Sequence, residues 1–486
     1  MLTPEESLAI YHAGPEAVAQ ALCDLSQQVA LLQEQIATKD KQIKVLEDQI
    51  AKNSRNSSKP PSSDGLKKPK PRSLRQKSNR KPGGQQGHPG QTLKQVERPD
   101  HVIVYPVCEC ECCHRSLADE QACHVEKRQV FDIPPIQLES TEHQVQSKQC
   151  PYCGRVNKAM FPDGVNAPTQ YGLRIKAVVV YLRDYQLLPS QRTCELLRDL
   201  FSCQLSEGTV ANIVKTICDI LDEPQEQIAQ QISAASVANF DETGCSVLAD
   251  RWWLHVACTA NLTYYQVHPK RGSEATDHIG ILPDFKGRAI HDFWKSYFKY
   301  DCDHGLCNAH HLRELIFVHE QYGQSWAKQM IDCLIDIKKS VDEARNISNH
   351  LPQDQIHTFE KRYQRILDLG YSENPLLEQP PGKKKRGRQK KSKPRNLLER
   401  LDEYRKEALA FMYDFRVPFD NNQAERDARM TKVQQKISGT FRSEGGAKAF
   451  CRIRSYISTA RKNAVNAFEA IRNAFAGKPF MPPETG

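Results

Sequence analysis

The sequence of 486 residues has no long apolar run. A helix that spans a membrane needs about 18 or more consecutive apolar residues, so we expect no membrane-embedded segment. The first residues, MLTPEESLAIYH, place acids where a secretory signal has a basic flank and an apolar stretch. We therefore expect a cytoplasmic protein, and its length suffices for two to four domains at roughly 100–200 residues per domain.

Disulfides are not expected either, although the chain has 17 cysteines, because it is long and shows no secretory signal. Two Cys-x-x-Cys pairs, Cys110/Cys113 and Cys150/Cys153, are separated by 36 residues. Two such pairs can place four thiolates around one Zn²⁺. The spacing therefore predicts a structural zinc ribbon in residues 101–165.

The segment between the two pairs is predicted to form strands at 127–133 and 139–147. The ligands from the first pair stay open, since further Cys and His residues surround it: Cys108, Cys112, Cys123, His114 and His124.

Positive charge is concentrated in two segments. The formal net charge is +9, and residues 53–100 hold twelve Lys or Arg against three acids, while 383–395 hold nine and no acid. Such segments are expected to contact a polyanion such as DNA. The alternative interpretation is that each basic segment only keeps a linker solvated. The first segment is rich in Ser, Pro and Gly and has no aromatic residue, which predicts a basic flexible linker.

An apolar seam in the N-terminal 52 residues alternates spacings of three and four over four heptads, with one charged exception. This pattern predicts a short coiled coil that joins copies of the chain, the alternative being an amphipathic helix that lies on its own domain. The seam consists of Leu22, Leu25, Val29, Leu32, Ile36, Lys39, Ile43, Leu46 and Ile50.

Residues 166–232 are predicted to be helical. A helix from about 191 to 201 is followed by a break at 202–204 and by a second helix that Ser206 can cap. Two short helices around a tight turn resemble a helix-turn-helix that binds DNA. A helical hairpin without a role in DNA binding is an equally good interpretation.

From residue 233 the pattern changes to short strands. An apolar strand ends at Asp241, two β-rich runs follow at 252–260 and 262–268, and a further strand precedes Asp292. A short helix at 274–281 lies before that strand and another helix after it. This is the order of a ribonuclease-H-like α/β core, in which the first strand is central and the fourth lies beside it in parallel.

Asp241 and Asp292 would then lie side by side at strand ends. Carboxylate oxygens are ligands for Mg²⁺, and two ions about 3.5–4 Å apart can hold the attacking and leaving oxygens of phosphoryl transfer. Glu425, on a predicted helix that Asp420 or Asn421 can cap and with Arg429 on the same face, is the best third acid. Any single acid is equally compatible with a solvated surface position.

The chain resembles full-length transposases of the insertion sequence sixty-six family, which are bacterial DDE-type transposases. The resemblance spans nearly the whole chain. It rests on the seam, the paired Cys-x-x-Cys and the stretches NSSKPPSSD, GGQQGHPG, LPSQRTCELL, LSEGTV, FDETG, CNAHHLREL, KRGRQKKSKPRNLLERL and PFDNNQAERDARMTKVQQKISGTFRS.

The resemblance implies that Asp241 in FDETG is the first catalytic acid and that Glu425 in DNNQAER is the third. Asp292 fits best as the second acid, with Asp301 and Asp303 as rivals in the loop before the CNAHH helix. The three acids would bind two Mg²⁺ or Mn²⁺ ions.

Cys307-x-x-His310 resembles a Cys-x-x-His signature that follows the second acid in several DDE groups. We expect these two residues to support the active site rather than to bind a structural metal.

The separation of 133 residues from Asp292 to Glu425 implies a helical insertion at 321–412, between core segments 233–320 and 413–486. Predicted helices at 325–346, 352–369 and 395–413 fill it. The fold class is thus multidomain α+β, with a ribonuclease-H-like core and a helical insertion, preceded by a coiled coil, a zinc ribbon and a helical DNA-binding region.

The function that the resemblance implies is cleavage at the terminal inverted repeats of an insertion sequence and strand transfer into target DNA. The protein would act in the bacterial cytoplasm, on nucleoid DNA, with or without accessory proteins of the same element. A DNA-binding regulator without catalysis and a nuclease without strand transfer are the rival interpretations. Residues expected to hold DNA are Arg426, Arg429, Lys432, Lys383, Lys384, Lys385, Arg386 and Arg388.

Overall fold

The computed structural model describes residues 3–57, 59, 64, 93–134, 136–376 and 391–483. It divides into two compact units. The first comprises Met1–Pro71, Ala167–Thr193 and Ser206–Gly486, and the second comprises Arg72–Asn166 and Cys194–Leu205. Within the described ranges, no helix is both long and apolar enough to cross a membrane.

The described residues form a mixed α+β structure. Its strands are β1 (Ser147–Gln149), β2 (Val156–Lys158), β3 (Val237–Val247), β4 (Asp250–Cys258), β5 (Thr263–His268), β6 (Arg288–His291) and β7 (Asp303–Leu306). Its α-helices are α1 (Pro4–His12), α2 (Pro15–Ile50), α3 (Leu173–Val180), α4 (Ser190–Phe201), α5 (Glu207–Ile220), α6 (Asp222–Ser233), α7 (Ser273–Ile279), α8 (Ile281–Asp284), α9 (Asn308–Tyr322), α10 (Ser325–Ala344), α11 (Gln353–Glu373), α12 (Lys393–Glu403), α13 (Arg405–Ala408), α14 (Ala410–Tyr413), α15 (Asn422–Ser438), α16 (Glu444–Lys462) and α17 (Ala467–Phe475).

A five-stranded mixed sheet forms the centre of the first unit, in the order β5-β4-β3-β6-β7. Strands β3, β4 and β5 pair antiparallel, whereas β6 is parallel to β3 and β7 is parallel to β6. The prediction that the first strand is central, with the fourth beside it in parallel, is confirmed. The loop predicted around Asp303 is wrong, because this residue begins β7.

The hairpin between β3 and β4 turns at Leu248 and Ala249, which have φ values of 54° and 68°. Two-residue hairpins favour positive φ at both central positions, usually with Asn or Gly. Here a neighbouring segment supports the turn instead. The Leu248 N–H donates to the Phe441 carbonyl at 2.8 Å, and the Ala249 N–H donates to Thr440 Oγ1 at 3.2 Å.

Helices cover both faces of the sheet. On one face, apolar side chains of β3, β4 and β5 pack against α15 and α16. On the other face, Phe240 and Ala257 pack with Ile228 of α6 and Leu282 of α8. Because both faces are buried, side chains at the ends of the central strands lie under α15, where the candidate site is found.

The predicted helical insertion is present between β7 and α15. Its predicted helices are confirmed as α10, α11 and the α12–α14 segment. Trp326, Tyr363 and Leu398 are completely buried in a hydrophobic core that also includes Ile290 of β6. The insertion is therefore packed onto one edge of the sheet. Residues 377–390, which include most of the second basic segment, lie outside the described residues.

The helical region before the sheet also forms as predicted, with α4 beginning at Ser190 and α5 beginning after Ser206. Ser206 caps α5 by accepting a hydrogen bond from the Thr209 N–H at 3.1 Å. One face of α5, with Val210 and Ile217, is buried, and the helix packs against α3, α16 and α17. A role of this region in DNA recognition stays a prediction.

Helix α2 contains the apolar seam, and the seam faces solvent in the single chain. Leu25, Leu32 and Ile43 are 51%, 56% and 53% exposed. The alternative that the helix lies along its own domain therefore does not apply to the seam. Pairing with a second copy stays a prediction.

The C-terminal end of α2 packs against α9 and α12 of the first unit. Asp48, 3% exposed, accepts a hydrogen bond from the Tyr322 hydroxyl of α9 at 2.5 Å and pairs with Lys393 of α12 at 2.8 Å. Just beyond the helix, Arg55 forms an ion pair of 2.7 Å with Glu320. These contacts hold α2 on α9.

The turn after α2 corrects the prediction of a flexible linker from residue 53 onward. Asn56 and Ser57 are buried, the Asn53 N–H donates to Asn56 Oδ1 at 2.8 Å, and Ser57 Oγ donates to the Asn53 carbonyl at 2.6 Å. Short Asn and Ser side chains can thus satisfy a turn without an apolar core. Residues 58, 60–63 and 65–92 lie outside the described residues.

In the second unit, β1 and β2 form an antiparallel pair around Cys150 and Cys153. The strands predicted at 127–133 and 139–147 are wrong, since in the described part of these ranges only Ser147 belongs to a strand. Alternating apolar residues favour an extended chain, but a strand also needs a neighbouring backbone with which to pair.

Candidate active site

The register of two parallel strands brings Asp241 and Asp292 together. Asn239 of β3 lies opposite Ile290 of β6, and the same offset places Asp241 opposite Asp292 just past the last paired residues. Neighbouring strands lie about 4.8 Å apart, and side chains two residues apart share a face. Both carboxylates therefore lie on the face of the sheet that α15 covers.

The two aspartates repel each other and are partly removed from water. Burial, with the charges of Glu242 and Asp292, raises the pKa of Asp241 well above its usual value. Burial, with the charge of Glu242, raises the pKa of Asp292 to about 6, although Arg271 opposes this shift. The charge of Glu425 also raises both pKa values. The three predicted acids therefore lie within electrostatic reach of one another.

Glu425 lies in the first turn of α15, where the positive end of the helix dipole favours a carboxylate. Its Oε1 is 3.4 Å from Arg313 and 3.8 Å from His310 Nδ1, and both residues belong to α9. The side chain is 27% exposed. Helix α9 thus orients the acid from one side, while its own helix holds it over β3.

The two rival aspartates do not join this cluster. Asp303 pairs with Arg288 at 2.9 Å, and Asp301 lies 3.5 Å from Lys286 with its side chain fully exposed. Neither contributes to the raised pKa of Asp241.

Asn421 joins the elements that hold the acids, a role that the sequence did not indicate beyond helix capping. Its amide donates to the Phe240 carbonyl at 2.8 Å and accepts from the Asn239 amide at 2.7 Å. Its backbone N–H donates to Cys307 Sγ at 3.1 Å. One buried residue therefore connects β3, the start of α15 and the start of α9.

A buried ion pair beside Asp241 was also missed. Glu242 faces the opposite side of the sheet, where Arg271 contacts it at 2.6 Å and the Tyr297 hydroxyl donates to it at 2.5 Å. The Arg271 guanidinium lies over the rings of Trp294 and Trp253, at 3.8 and 4.8 Å from their centroids. Glu242 could have been noticed from its position after Asp241, whereas no sequence signal points to Arg271.

Cys307 and His310 lie beside Glu425 as the resemblance implied. Ligand atoms of the three residues lie within 4.8 Å of one another, so the group could hold a metal ion. Burial raises the pKa of Cys307 to about 12, and burial with the charges of Arg313 and Arg400 lowers the pKa of His310 to about 3. A protonated thiol and a neutral imidazole fit the predicted supporting role.

The three carboxylates fit a divalent cation. Hard oxygen donors suit Mg²⁺ or Mn²⁺. Burial, together with repulsion from neighbouring carboxylates, raises the pKa values of the two aspartates. A cation at this place would relieve that repulsion.

The predicted DNA-binding residues occupy different places. Arg426 and Arg429 are exposed on α15, while Lys432 donates to the Gly244 carbonyl. Lys383, Lys384, Lys385, Arg386 and Arg388 lie outside the described residues. The described end of the same basic segment is already paired, since Lys391 and Arg395 both contact Glu399.

The two Cys-x-x-Cys pairs form equivalent turns. In each, the N–H of the first cysteine donates to the carbonyl five residues on, to Arg115 and to Arg155, at 2.9 Å. Backbone and thiol hydrogen bonds from within each pair lower the pKa of Cys110 and of Cys150.

The two turns are not gathered into one cluster. In the described part of the chain, the thiols of Cys110 and Cys113 do not lie near enough to those of Cys150 and Cys153 for three or more of them to bind one metal ion. Binding of one Zn²⁺ by both turns stays a prediction.

Comparison with known families gives two matches. A family of unknown function, DUF6444, matches residues 9–94. The family described as Transposase IS66 family matches residues 168–449, which include the sheet, the insertion and α15. None of the curated proteins compared with the chain matches it. Because the second match covers more than half of the sequence, the chain belongs to the Transposase IS66 family.

Proposed function

We propose that this transposase cuts DNA at the ends of an insertion sequence and joins the freed ends to target DNA, with Asp241, Asp292 and Glu425 as its catalytic acids. The observation that carries the proposal is the convergence of these three carboxylates. The β3–β6 register aligns the two aspartates, and Glu425 raises the pKa of both.

The topology of the sheet supports the proposal. Three antiparallel strands followed by two parallel ones, in the order β5-β4-β3-β6-β7, match the arrangement expected of a ribonuclease-H-like core. We therefore propose that fold for the catalytic region. The insertion between β7 and α15 would be an addition to it.

Each residue has a distinct role in this proposal. The three carboxylates would hold Mg²⁺ or Mn²⁺, which supplies Lewis-acid stabilisation of the attacking and leaving oxygens when it is bound. Arg313 would fix the position of Glu425, which it contacts at 3.4 Å. Cys307 would fix the start of α15 through the Asn421 N–H.

The reaction needs no covalent link between protein and DNA. Water would attack the phosphodiester at the end of the element and leave a free 3′-hydroxyl. That hydroxyl would then attack a target phosphodiester, forming one P–O bond as another breaks. Exposed Arg429, four residues after Glu425 on the same face of α15, would hold a phosphate near Glu425. Arg426 and Lys432 would contact the DNA backbone farther from the acids.

The remaining parts would assemble and position the complex. We propose that α2 pairs with α2 of a second copy, that the two cysteine turns bind a structural Zn²⁺, and that α4 and α5 contribute to recognition of the element ends. The protein would act on nucleoid DNA in the bacterial cytoplasm, with accessory proteins of the element as possible partners.

The proposal is tested with DNA that carries the ends flanking this gene, incubated with the full chain and Mg²⁺. We expect nicks at the 3′ ends and joined products from the wild type, and neither from Asp292→Asn. Asp303→Asn is the matched control, because Asp303 is a rival acid outside the cluster, and it should cut normally.

Three other outcomes would contradict parts of the proposal. Cutting that survives Asp292→Asn but not Asp303→Asn would mean that the second acid is wrong. Binding of the ends without cutting by the wild type would favour a DNA-binding regulator. Nicked products without joined ones would favour a nuclease.

A further inference from the structure

A strongly basic cavity lies beside α15, away from the carboxylates. Its volume is about 280 Å³, and its walls include Arg426 of α15 and Arg454 and Arg461 of α16, with Tyr185 from the turn after α3. Residues 181–185 of that turn form one π-helical turn. Such widened turns are rare and occur frequently at functional sites.

The three arginines have no carboxylate of their own in this cavity. Of the nearest acids, Asp427 pairs with Lys462 at 2.8 Å and Asp184 pairs with Arg183 at 2.6 Å. Among the residues that the structure describes, none of the three guanidinium groups forms a direct ion pair with a carboxylate. The cavity therefore has an excess of positive charge, which Asp184 offsets only in part through its electrostatic interaction with Arg454.

Arg454 is the most unusual of the three. It is only 9% exposed, its Nη1 reaches the carbonyls of Asp184 and Tyr185 at 3.3 Å, and its Nε has no hydrogen-bond partner within the described ranges. An unsatisfied buried donor on a charged group costs several kcal/mol. An anion in the cavity would supply the missing acceptor.

Tyr185 orders two of the guanidinium groups. The Arg454 and Arg461 groups lie 5.3 and 5.4 Å from the centroid of its ring. Cation–π contact holds an arginine in place without neutralising it. Both groups thus stay available for a ligand with negatively charged oxygens.

The position on α15 indicates where such a ligand comes from. Arg426 directly follows Glu425, but Glu425 faces Arg313 of α9, whereas Asp427 faces Lys462 of α16. Residues two apart on a helix point about 200° apart. The cavity is therefore on the other side of α15 from the acid, too far round the helix to hold the phosphate at the carboxylates.

We propose that Arg426, Arg454 and Arg461 form a pocket for a backbone phosphate of the bound DNA other than the phosphate that is cut. This inference rests on the proposed function, since it requires DNA across α15. The ligand chemistry is that of a phosphate oxyanion, and we assign it to the DNA backbone rather than to a free anion.

The test uses the full chain without divalent metal and a fluorescent duplex carrying the element end. Arg426→Gln with Arg461→Gln changes two exposed positions, so the fold should be retained. We expect a Kd about tenfold higher and a slope of log K against log salt that is smaller by about one, as for the loss of one phosphate contact. The matched control is Lys361→Gln with Arg365→Gln, two exposed cations of α11.

Chemical ethylation of the duplex locates the phosphate. Ethylation of one phosphate away from the cut site should block binding of the duplex by the wild type. The same ethylation should not change binding by the double variant. With Mg²⁺, the DNA concentration that gives half-maximal cutting should rise in the double variant in the same proportion as its Kd.

The outcomes separate this pocket from the proposed function. If the salt slope of the double variant equals that of the wild type, or if the α11 control changes the slope equally, the pocket proposal is overturned. The proposed cutting reaction would not be affected by that result. Titration of inorganic phosphate that binds the wild type but not the double variant, with DNA binding unchanged, would show a free-anion site and overturn the assignment. A wild type that does not bind the duplex at all would overturn both proposals.

Discussion

Asn239 donates a hydrogen bond of 2.7 Å to Asn421, across 182 residues of sequence. The bond joins β3, in which Asp241 lies just past the residues paired with β6, to the start of the helix that contains Glu425. The prediction that this strand ends at Asp241 is wrong, because its pairing with β4 continues to Val247. Because Asn421 also binds the Phe240 carbonyl and Cys307, the geometry of the acids depends on a single buried amide.

Asn421→Leu removes this connection while keeping a similar volume. It leaves the Asn239 amide and the Phe240 carbonyl unsatisfied, and each such buried group costs about 1–3 kcal/mol. We expect the free energy of unfolding, measured in urea, to fall by about 2–4 kcal/mol and cutting to be lost. Asn422→Ala at the exposed neighbouring position is the control. Equal stability of the two variants would contradict the role of Asn421.

The raised pKa of Asp292 predicts a pH dependence of stability. The folded state keeps a proton on this group up to about pH 6, whereas the unfolded chain loses it near pH 4. Between these values the folded state binds more protons, so the free energy of unfolding falls as pH rises.

Asp292→Asn should reduce that fall, leaving the part that comes from the raised pKa of Asp241, and should stabilise the metal-free protein at neutral pH by about 1–3 kcal/mol. Added Mg²⁺ should raise the melting temperature of the wild type more than that of the variant. Asp303→Asn, outside the cluster, should retain both the pH dependence and the response to Mg²⁺. If the free energy of unfolding of Asp292→Asn falls with rising pH as much as that of the wild type, a group other than Asp292 is responsible for the pH dependence.

Glu242 and Arg271 form a buried pair, with side chains 2% and 31% exposed. Removing one partner of a buried pair leaves an uncompensated charge and costs about 3–5 kcal/mol. Arg271→Met should therefore destabilise the protein by that amount in urea unfolding, and adding Glu242→Gln should recover part of the loss. Arg416→Met, at a largely exposed pair with Asp414, should cost less than about 1 kcal/mol. Additive effects of the two changes at 242 and 271 would contradict a coupled pair.

The zinc prediction is tested by counting metal. We expect about one Zn²⁺ per chain, released on unfolding and measured with a chromophoric chelator, since two Cys-x-x-Cys pairs supply four ligands. Cys110→Ser and Cys150→Ser should lose it, while Cys112→Ser should keep it. If Cys110→Ser keeps its Zn²⁺ and Cys112→Ser loses it, Cys112 rather than Cys110 is the ligand in the first pair.

The exposed seam of α2 predicts self-association. Leu32→Asp places a charge in the seam, where Leu32 is 56% exposed in the single chain, and should shift the protein to monomers in sedimentation experiments. Gln27→Asp on the outer face of the same helix is the matched control and should leave the assembly intact. A monomeric wild type would contradict the coiled coil.

The sequence predicted those parts of the site that depend on local pattern. An apolar strand that ends in an acid gave Asp241 and Asp292, and their alignment followed from the pairing of the first and fourth strands. Glu425 was selected among many acids by its helix cap and by family resemblance, because spacing alone does not place a helix over a sheet.

Contacts between distant residues could not be predicted. Arg271 lies 29 residues from Glu242, and no periodicity connects them. Strand β7 escaped notice because Asp-His-Gly-Leu is polar and contains glycine. A Cβ at Gly305 would lie 2.6 Å from Ile290 Cδ1 of the neighbouring strand, so the Ile290 side chain would have to shift.

The insertion between β7 and α15 has a consequence for newly made protein. Asp241 and Asp292 leave the ribosome first, and Glu425 follows only after 132 further residues, which include β7 and the helical insertion. A chain interrupted anywhere in that interval has two of the three acids and lacks α15, which covers them. If all three are needed to cut, such an unfinished chain poses no danger to the chromosome of its host, and breakage begins only after α15 has been made.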